Sequence, residues 1–541
     1  MFIRVQRPKT DENGVIIGGS ASVVASSYDK DAVSGHSRQT VVERLGRVIE
    51  LAADKKSGIF LSPTRGAVLY NAVDNTFSPV DGDDPRISKI TEIPEDRRRA
   101  TFGNVYLLTQ LLERTGMISV LSEVFAERQD YERLLLHVVH GFLRDNSSKK
   151  CSTMVEQSVL GFLTRDVAVS TLRSDTRYYE NMGGDEVKTS FFKSFVSVMR
   201  RQKPDFGIGC YIDSTPLPND IRHDNPYNRL RCQHGQGCSE QIRLALVIDE
   251  DTGLPLWYEL LPGNTMDMNT VATITRRVQD TLGVETVAYV LDAGYVSKEV
   301  IQLLAASDSG KTLITRMPHR KGYPYKSLYH RIKGSLSQAK YNCFRKGCVY
   351  FGKRYALTLF DTDLFAYVMI DRERALREYE RYVEEHELEY KEHSDSEKIW
   401  DSVRFGYFVL LSNIETTAQD MLCRYLDRVQ IEEVFKDSKT FEGLLPLAKW
   451  TAQTVRGKIM SDMIDTIIRI LLLKQLPKYT GSLMDLFYDA SSLDCCRSPD
   501  QWIRIETPNK QAKAAFRTFD EPLPGVLNMN QWTAKLYPRW V

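Results

Sequence analysis

The feature that most constrains the fold is the close spacing of three β-rich runs in the middle of the chain. The runs are "FGIGCYIDST", "IRLALVID" and "LPLWYELLPGN", and "DEDTG" (249–253) has the composition of a hairpin turn between the last two. A helical pattern follows, and then a strand "ETVAYVLDAGY", a helix from Ser297 and a strand "KTLITRM". Three antiparallel strands followed by alternating helices and strands predict a mixed α/β core.

The length of the chain predicts several domains around this core. A chain of 541 residues is too long for one hydrophobic core, and a length of this order suggests about three or four domains. Changes in pattern place the boundaries as follows: a small β-containing module at 1–96, a helical region at 97–205, the first half of the core at 206–315, a basic, aromatic and β-rich insertion at 316–404, the second half of the core at 405–475, and a helical tail at 476–541.

Composition describes an ordinary globular protein. Basic and acidic residues nearly cancel, 72 against 71, but local charge governs counterion release, so a neutral total does not exclude a nucleic-acid partner. Nine scattered cysteines fit a reducing compartment. The N-terminus has no apolar signal core, and the most hydrophobic helix, around 460–476, contains Asp462, Asp465 and Arg469. That helix is too charged to span a bilayer. We therefore expect a cytoplasmic protein.

One segment concentrates positive charge. From Arg316 to Arg354 there are eleven lysines and arginines and no acidic residue. Because an ordinary basic face carries compensating acids, this pattern favours a phosphate-binding surface, with Arg345 and Lys346 as predicted DNA contacts. Aromatic residues in such a surface can stack on bases, although several must belong to a core. The interleaved aromatic residues are Tyr323, Tyr325, Tyr329, Tyr341, Phe344, Tyr350 and Phe351.

Three acidic residues have positions in the sequence that are typical of catalytic acids. Asp213 and Asp292 each end an apolar strand, in "CYIDST" and "AYVLDAGY", and Glu432 lies on a helix after the β run "FGYFVLLSN". Taken alone, an aspartate in such a position is more often a turn or helix cap than a catalytic group. Carboxylates that converge from two strands and a helix would instead hold hard divalent cations, which serve phosphoryl transfer.

The stretch "YLDRVQIEEVFKDSK" (425–439) predicts a single amphipathic helix. At about 100° per residue, Tyr425, Arg428, Glu432 and Lys439 fall within an arc of roughly 60°, beside apolar side chains, whereas Glu433 lies about 80° from the tyrosine. Snorkelling stems and a surface salt bridge are one interpretation of this arc. The other is that the arc faces an active site.

The spacing Tyr425-x2-Arg428-x3-Glu432-x6-Lys439 resembles the signature of DDE transposases of the insertion-sequence family 4 group. "YIDST" around Asp213 and "VLDAGY" around Asp292 resemble the first and second acidic blocks of that family. "GLPLWYELLPGNTMDMNT" resembles the stretch between those blocks, and residues 447–472 resemble the helical segment after the glutamate. The resemblance covers roughly residues 205–475.

The resemblance implies a ribonuclease-H-like, mixed-sheet α/β catalytic core interrupted by a β-rich insertion, with helical N-terminal and C-terminal regions. It assigns Asp213, Asp292 and Glu432 to catalysis and to two Mg²⁺ ions, and Mn²⁺ also suits such oxygen ligands. It assigns Tyr425, Arg428 and Lys439 to DNA. The implied activity is cleavage of double-stranded DNA at the ends of an insertion sequence and strand transfer into target DNA, by analogy through a hairpin.

Further expectations accompany this resemblance. Arg200, Arg201 and Lys203 end the helical region and are predicted phosphate contacts at the element end. A hairpin requires an aromatic side chain to receive a flipped base, and Trp400 is a candidate against the alternative of a packed tryptophan. Since both element ends must be held together, we expect a homodimer in the DNA complex. The protein would act on DNA in a bacterial-type cytoplasm, associated with the nucleoid when bound.

Two other functions compete with this interpretation. The first is a catalytically silent DNA-binding protein derived from a transposase, although all three acids are present. The second is a structural zinc protein built on Cys232, His234 and Cys238 in "RCQHGQGC". Structural zinc needs four ligands, usually as two pairs, and no second pair is near in the sequence, so a loop is favoured.

Overall fold

The computed structural model describes residues 2–11, 14–28, 37–62, 65–80, 84, 86, 99–143, 150–219, 221, 225–233, 237–265, 270–283, 288–306, 309–440, 445, 447–498 and 501–540. Within these ranges the description leaves out the side chains of 27, 28, 37, 38, 231–233, 237, 238 and 437–440. The chain forms two compact units. The first comprises Met1–Asp175 and Leu472–Val541, and the second comprises Thr176–Leu471.

The strands are β1 (Phe2–Thr10), β2 (Ile16–Tyr28), β3 (Ser37–Leu51), β4 (Ser57–Ser62), β5 (Gly66–Asn71), β6 (Thr76–Pro79), β7 (Arg99–Thr101), β8 (Gly209–Pro218), β9 (Arg229–Gln233), β10 (Gly237–Asp249), β11 (Pro255–Pro262), β12 (Ala288–Leu291), β13 (Thr312–Arg316), β14 (Asn342–Arg345), β15 (Cys348–Leu359), β16 (Thr362–Asp371), β17 (Tyr407–Ser412), β18 (Asp494–Arg497), β19 (Trp502–Ile505) and β20 (Val526–Asn528).

The helices are α1 (Gly103–Arg114), α2 (Met117–Ser122), α3 (Arg128–Leu143), α4 (Cys151–Gln157), α5 (Leu160–Leu163), α6 (Thr176–Met182), α7 (Asp185–Gln202), α8 (Val271–Leu282), α9 (Lys298–Ala305), α10 (Tyr325–Ile332), α11 (Arg372–Glu385), α12 (Glu387–Glu392), α13 (Asp395–Arg404), α14 (Ala418–Leu426), α15 (Val429–Thr440), α16 (Ala452–Lys474), α17 (Leu483–Ser491), α18 (Lys510–Thr518) and α19 (Met529–Leu536). Short 3-10 turns lie at 169–173, 293–295, 333–335 and 339–341.

The N-terminal part of the first unit is a β-meander. Strands β1 to β6 form a six-stranded sheet in which each strand pairs antiparallel with the next one along the chain. Apolar side chains from most of its strands, including Val23, Leu45, Val48, Phe60 and Tyr70, are buried in one cluster. Alternation along the strands places these side chains on a common face, and their burial removes them from water.

The rest of the first unit combines helices with a second sheet. Strands β20, β19, β18 and β7 form a four-stranded sheet in that order. In the described part of the chain, the predicted helical tail at 476–541 contains three helices but also three strands, because β18, β19 and β20 all come from residues 494–528. The reason is tertiary: these short strands are ordered by pairing with one another and with β7, which lies nearly four hundred residues earlier in the chain.

The second unit is built on one ten-stranded mixed sheet. Its order is β11-β10-β8-β12-β13-β17-β16-β15-β14, with β9 paired to β10. Strand β8 is antiparallel to β10 and parallel to β12, and β12 is parallel to β13. The predicted mixed α/β architecture, with three antiparallel strands followed by alternating helices and strands, is confirmed. The strands of the insertion continue the same sheet, since β13 and β16 both pair antiparallel with β17.

Candidate functional site

The two predicted aspartates lie beside each other on neighbouring interior strands of the ten-stranded sheet. Asp213 belongs to β8, and Asp292 directly follows the last residue of β12. The strands are parallel, with Leu291 opposite Ile212, so the next residue of each strand is an aspartate at the same level. The prediction that Asp213 ends a strand is wrong, because β8 continues beyond it to Pro218 and pairs there with β10. The pairing of β8 with β12 does stop at Ile212 and Leu291, so both aspartates lie where these two strands part.

Arg428 connects Asp213 with Glu432. Its Nη1 donates to Asp213 Oδ2 at 2.7 Å, and its Nη2 donates to Glu432 Oε1 at 3.3 Å. The side chains of Arg428 and Asp213 are 13% and 18% exposed, whereas that of Glu432 is 57% exposed. Burial works to lower the pKa of Arg428, but Tyr425 and the carboxylates of Asp213, Asp292 and Glu432 outweigh it and raise the pKa. The guanidinium is thus the countercharge of this acidic site.

Tyr425 reaches the second aspartate. Its hydroxyl donates to Asp292 Oδ1 at 3.2 Å. Burial, reinforced by the charge of Asp292, raises the pKa of Tyr425 to about 12. The phenol therefore stays protonated at neutral pH and acts as a hydrogen-bond donor to the carboxylate.

The predicted single helix over 425–439 is wrong. Helix α14 ends at Leu426 and α15 begins at Val429, so Arg428 lies in the turn between them. The Arg428 N–H donates to the Tyr425 carbonyl at 3.2 Å, and the Ile431 N–H donates to the Arg428 carbonyl at 3.0 Å. These three-residue steps tighten the backbone and redirect the chain. The helical-wheel argument therefore assumed one continuous helix, which the structure does not contain. Tyr425 and Arg428 nevertheless contact the two aspartates, and Glu432 contacts Arg428.

The other residues of the predicted DNA surface have varied surroundings. The side chain of Lys439 lies outside the described residues. At the end of α7, Arg201 is exposed, and the Arg200 Nε donates to the Phe206 carbonyl at 3.1 Å. Lys203 Nζ lies 2.7 Å from Asp251 Oδ2. Arg200 and Lys203 are thus already engaged within the second unit in the absence of DNA.

The basic segment contributes one residue directly beside this site. Arg345, at the end of β14, forms an ion pair with Asp427, the residue before Arg428. Lys346 is exposed in the following turn and has a φ of 46°. Of the seven interleaved aromatic residues, Phe344 is exposed, and Tyr325, Tyr329, Tyr350 and Phe351 belong to the core, as expected for several of them.

Trp400 packs among aromatic rings. Its ring centroid lies 4.4 Å from that of Tyr329 and 5.5 Å from that of Tyr407. The indole is half-buried on α13. In this structure Trp400 has the surroundings of the packed tryptophan that was its alternative interpretation.

Two polar contacts of the site were not predicted. Arg243, on β10, donates through Nε to the Ser214 hydroxyl at 2.8 Å, next to Asp213. The Arg345–Asp427 pair joins positions 82 residues apart. Neither pair carries a spacing signal in the sequence. Strand pairing brings Arg243 to Ser214, and the packing of the turn after α14 against β14 brings Asp427 to Arg345. The run of basic residues indicated the importance of Arg345 but not its partner.

The candidate zinc motif falls mainly outside the described part of the chain. The backbones of Cys232 and Cys238 pair across β9 and β10. His234 and both cysteine side chains lie outside the described residues.

Carboxylates gathered at neighbouring positions of a mixed sheet are typical of sites for hard divalent cations. Residues 206–445 match the family model of the transposase DDE domain, and this range includes Asp213, Asp292 and Glu432. The match supports a DDE transposase, a class of protein that binds DNA and acts in DNA transposition and recombination. Transposase DDE domains in general depend on divalent metal ions. The oxygen donors of the three acids fit such ions.

Other comparisons are distant. No curated protein matches the chain. Among solved structures, the chain is similar to the cryo-EM structure of a piggyBac transposase synaptic complex with hairpin DNA, at 10% identity and a TM-score of 0.37. The similarity covers 81% of this chain and 86% of that one. Separately, none of the helices within the described residues combines the length and apolar character that a membrane span requires.

Proposed function

We propose that this chain is a metal-dependent DDE transposase of the insertion-sequence family 4 group, which cuts DNA at the ends of its element and joins those ends to target DNA. The observation that carries the proposal is the convergence of three acids from separate elements, with Arg428 bound to Asp213 and Glu432 and Tyr425 bound to Asp292. The order β11-β10-β8-β12-β13, antiparallel and then parallel, supports a ribonuclease-H-like core.

In this proposal Asp213, Asp292 and Glu432 hold two Mg²⁺ ions, with Mn²⁺ as a substitute. Such a pair of ions, when bound, activates the attacking oxygen and stabilises the leaving one in an in-line phosphoryl transfer. The protein's own groups prepare the site: the Tyr425 hydroxyl orients Asp292, and Arg428 neutralises Asp213 and Glu432. Arg428 would also be suited to bind a DNA phosphate, because its planar array of donors matches the phosphate oxygens.

The DNA surface of the proposal extends over both sides of this site. Lys439, Lys346 and Arg345 would contact phosphates near the acids, and Arg200, Arg201 and Lys203 would contact the element end. Within the described residues, only Arg345 and Arg354 of the eleven cations between 316 and 354 pair with carboxylates, which leaves a strongly positive segment for DNA.

The hairpin and the assembly remain parts of the same proposal. Trp400 would receive a flipped base only if its packing against Tyr329 and Tyr407 opens, because base stacking needs a free ring face. Phe344 offers an exposed ring on the same insertion. A homodimer would hold both element ends, and the protein would work in the cytoplasm, bound to the nucleoid. The rival function is a silent DNA-binding relative.

The direct test is cleavage of the element's own terminal DNA by the purified protein. With Mg²⁺ we expect strand nicks at the element end that leave 3′-hydroxyl groups, followed by joining to a target plasmid. The measurement is denaturing electrophoresis of end-labelled DNA, with chelator as the control. DNA binding without nicking in either Mg²⁺ or Mn²⁺ would identify a silent relative.

Replacing Arg428 with glutamine is expected to strengthen metal binding in the absence of DNA. A charge-assisted hydrogen bond contributes about 1.5–3 kcal/mol, and its removal frees two carboxylates that a cation would use. The dissociation constant for Mn²⁺ should fall roughly tenfold to a hundredfold, as measured by calorimetric titration. DNA cleavage should fall in the same variant, because the phosphate contact is lost.

Arg424→Gln is the matched control. Arg424 lies one turn earlier on α14 and pairs with Glu250, with a nitrogen–oxygen distance of 3.5 Å. This variant removes the same charge four residues earlier, from α14 instead of from the turn that contains Arg428, without freeing a proposed metal ligand. An unchanged or weaker Mn²⁺ affinity in Arg428→Gln would show that the arginine does not compete with the cation.

A further inference from the structure

A second cluster of metal-binding side chains lies in the first unit. Within the described residues, one group of His, Cys, Asp and Glu side chains has its ligand atoms all within 4.8 Å of one another, and it consists of His137, His140 and Cys151. All three side chains are buried, at 5%, 7% and 0% exposure. The transposase match at 206–445 does not include them.

We infer that His137, His140 and Cys151 form a zinc site with three protein ligands, which fastens the C-terminal part of α3 to the start of α4. A water molecule or another small ligand would fill the fourth position of the tetrahedron. His137 and His140 are three residues apart on α3, which places them on one face of the helix. Cys151 is the first residue of α4. The ligands thus come from two helices on either side of a connection in the sequence.

The spacing suits a tetrahedral ion. Zinc bonds of about 2.0–2.3 Å place neighbouring ligand atoms about 3.5 Å apart, so side chains already within 4.8 Å need to move by little more than about 1 Å. Two imidazoles and one thiolate are also softer donors than the carboxylates of the DDE site. This donor set selects zinc over Mg²⁺.

The carboxylate of Asp175 lies close to the ring of His137. Asp175 Oδ1 lies 3.9 Å from Nδ1 of His137. Carboxylates commonly occupy this position, where they orient the ring of a metal-ligating histidine. The Asp175 side chain is 41% exposed, and it adds a negative charge beside that of the Cys151 thiolate.

Zinc binding at this site would release a proton. Binding forms a Zn–S bond and breaks the S–H bond, and one proton leaves to solvent.

The test measures zinc on the full chain in excess Mg²⁺, which occupies oxygen sites. After dialysis against chelator and addition of Zn²⁺, we expect one zinc per chain by elemental mass spectrometry. Co²⁺ in its place should give a thiolate-to-cobalt charge-transfer band. Cys151→Ser should lose the band, and His140→Gln and His137→Gln should lose the zinc, with folding of each checked by circular dichroism.

Two controls identify the site. Cys495→Ser removes another buried cysteine of the first unit and should keep both zinc and band. The double variant Cys232→Ser, Cys238→Ser should also keep them. Loss of the band in this double variant, its persistence in Cys151→Ser, or no zinc on the wild-type chain would each overturn the inference. Should Cys151→Ser fail to fold, the two histidine variants and the double variant still decide between the sites.

Discussion

Asp213→Asn is expected to lower DNA strand cleavage about a thousandfold while leaving DNA binding nearly unchanged. The substitution keeps the shape of the side chain but removes a charged oxygen from the proposed metal site. Metal ions contribute several kcal/mol of transition-state stabilisation, and about 1.4 kcal/mol corresponds to a tenfold change in rate. Single-turnover nicking of end-labelled DNA measures the rate, and an electrophoretic shift measures the binding.

The control for this variant is Asp361→Asn. Asp361 is an exposed residue between β15 and β16 with a φ of 62°, a conformation that asparagine also adopts. Its cleavage rate should match that of wild type. Asp213→Asn protein that cuts at the wild-type rate would remove Asp213 from the catalytic site. A comparison of Glu432→Gln with Glu433→Gln shows which of the two adjacent glutamates acts in catalysis. We expect Glu432→Gln to stop cleavage and Glu433→Gln to leave it unchanged.

Glu132→Ala is expected to destabilise the first unit by about 3–5 kcal/mol, because each buried donor left without an acceptor costs about 1–3 kcal/mol and part of that cost is relieved by relaxation. Glu132 on α3 is fully buried. Its carboxylate accepts hydrogen bonds from the backbone N–H groups of Arg165, Asp166 and Val167 at 3.0, 2.8 and 2.7 Å. It also accepts one from the Tyr537 hydroxyl at 3.0 Å. Alanine would leave these four donors without their acceptor.

Hydrogen exchange of the amides of α3 and of residues 165–167 measures the loss of stability in Glu132→Ala for the first unit alone. Glu132→Gln keeps one acceptor oxygen and should cost less than alanine. Glu156→Ala, which removes an exposed glutamate from α4, should change the exchange rates little. Equal exchange rates in wild type and Glu132→Ala would show that the buried network does not stabilise this unit.

The sequence was most informative where the signal is local. The alternation and spacing of the runs around Asp213, Asp292 and 405–413 predicted the strands of the mixed sheet, and these are present as β8, β12 and β17. Local patterns failed where backbone direction depends on packing. The turn at Arg428 interrupts a stretch whose periodicity is that of one helix. The strands β18 to β20 form a sheet because β18 pairs with β7, which is distant in the sequence.

By itself, the sequence determined the class of fold and the identity of the candidate acids, because an aspartate after a run of apolar residues and the spacing from Tyr425 to Lys439 are both readable along the chain. Only the tertiary structure decided that Asp213 and Asp292 lie side by side, that Arg428 bridges Asp213 and Glu432, and that Arg345 holds Asp427. It also brought His137 and His140 next to Cys151. The physical reason is that strand register and helix packing join residues far apart in the chain, and no local pattern encodes those distances.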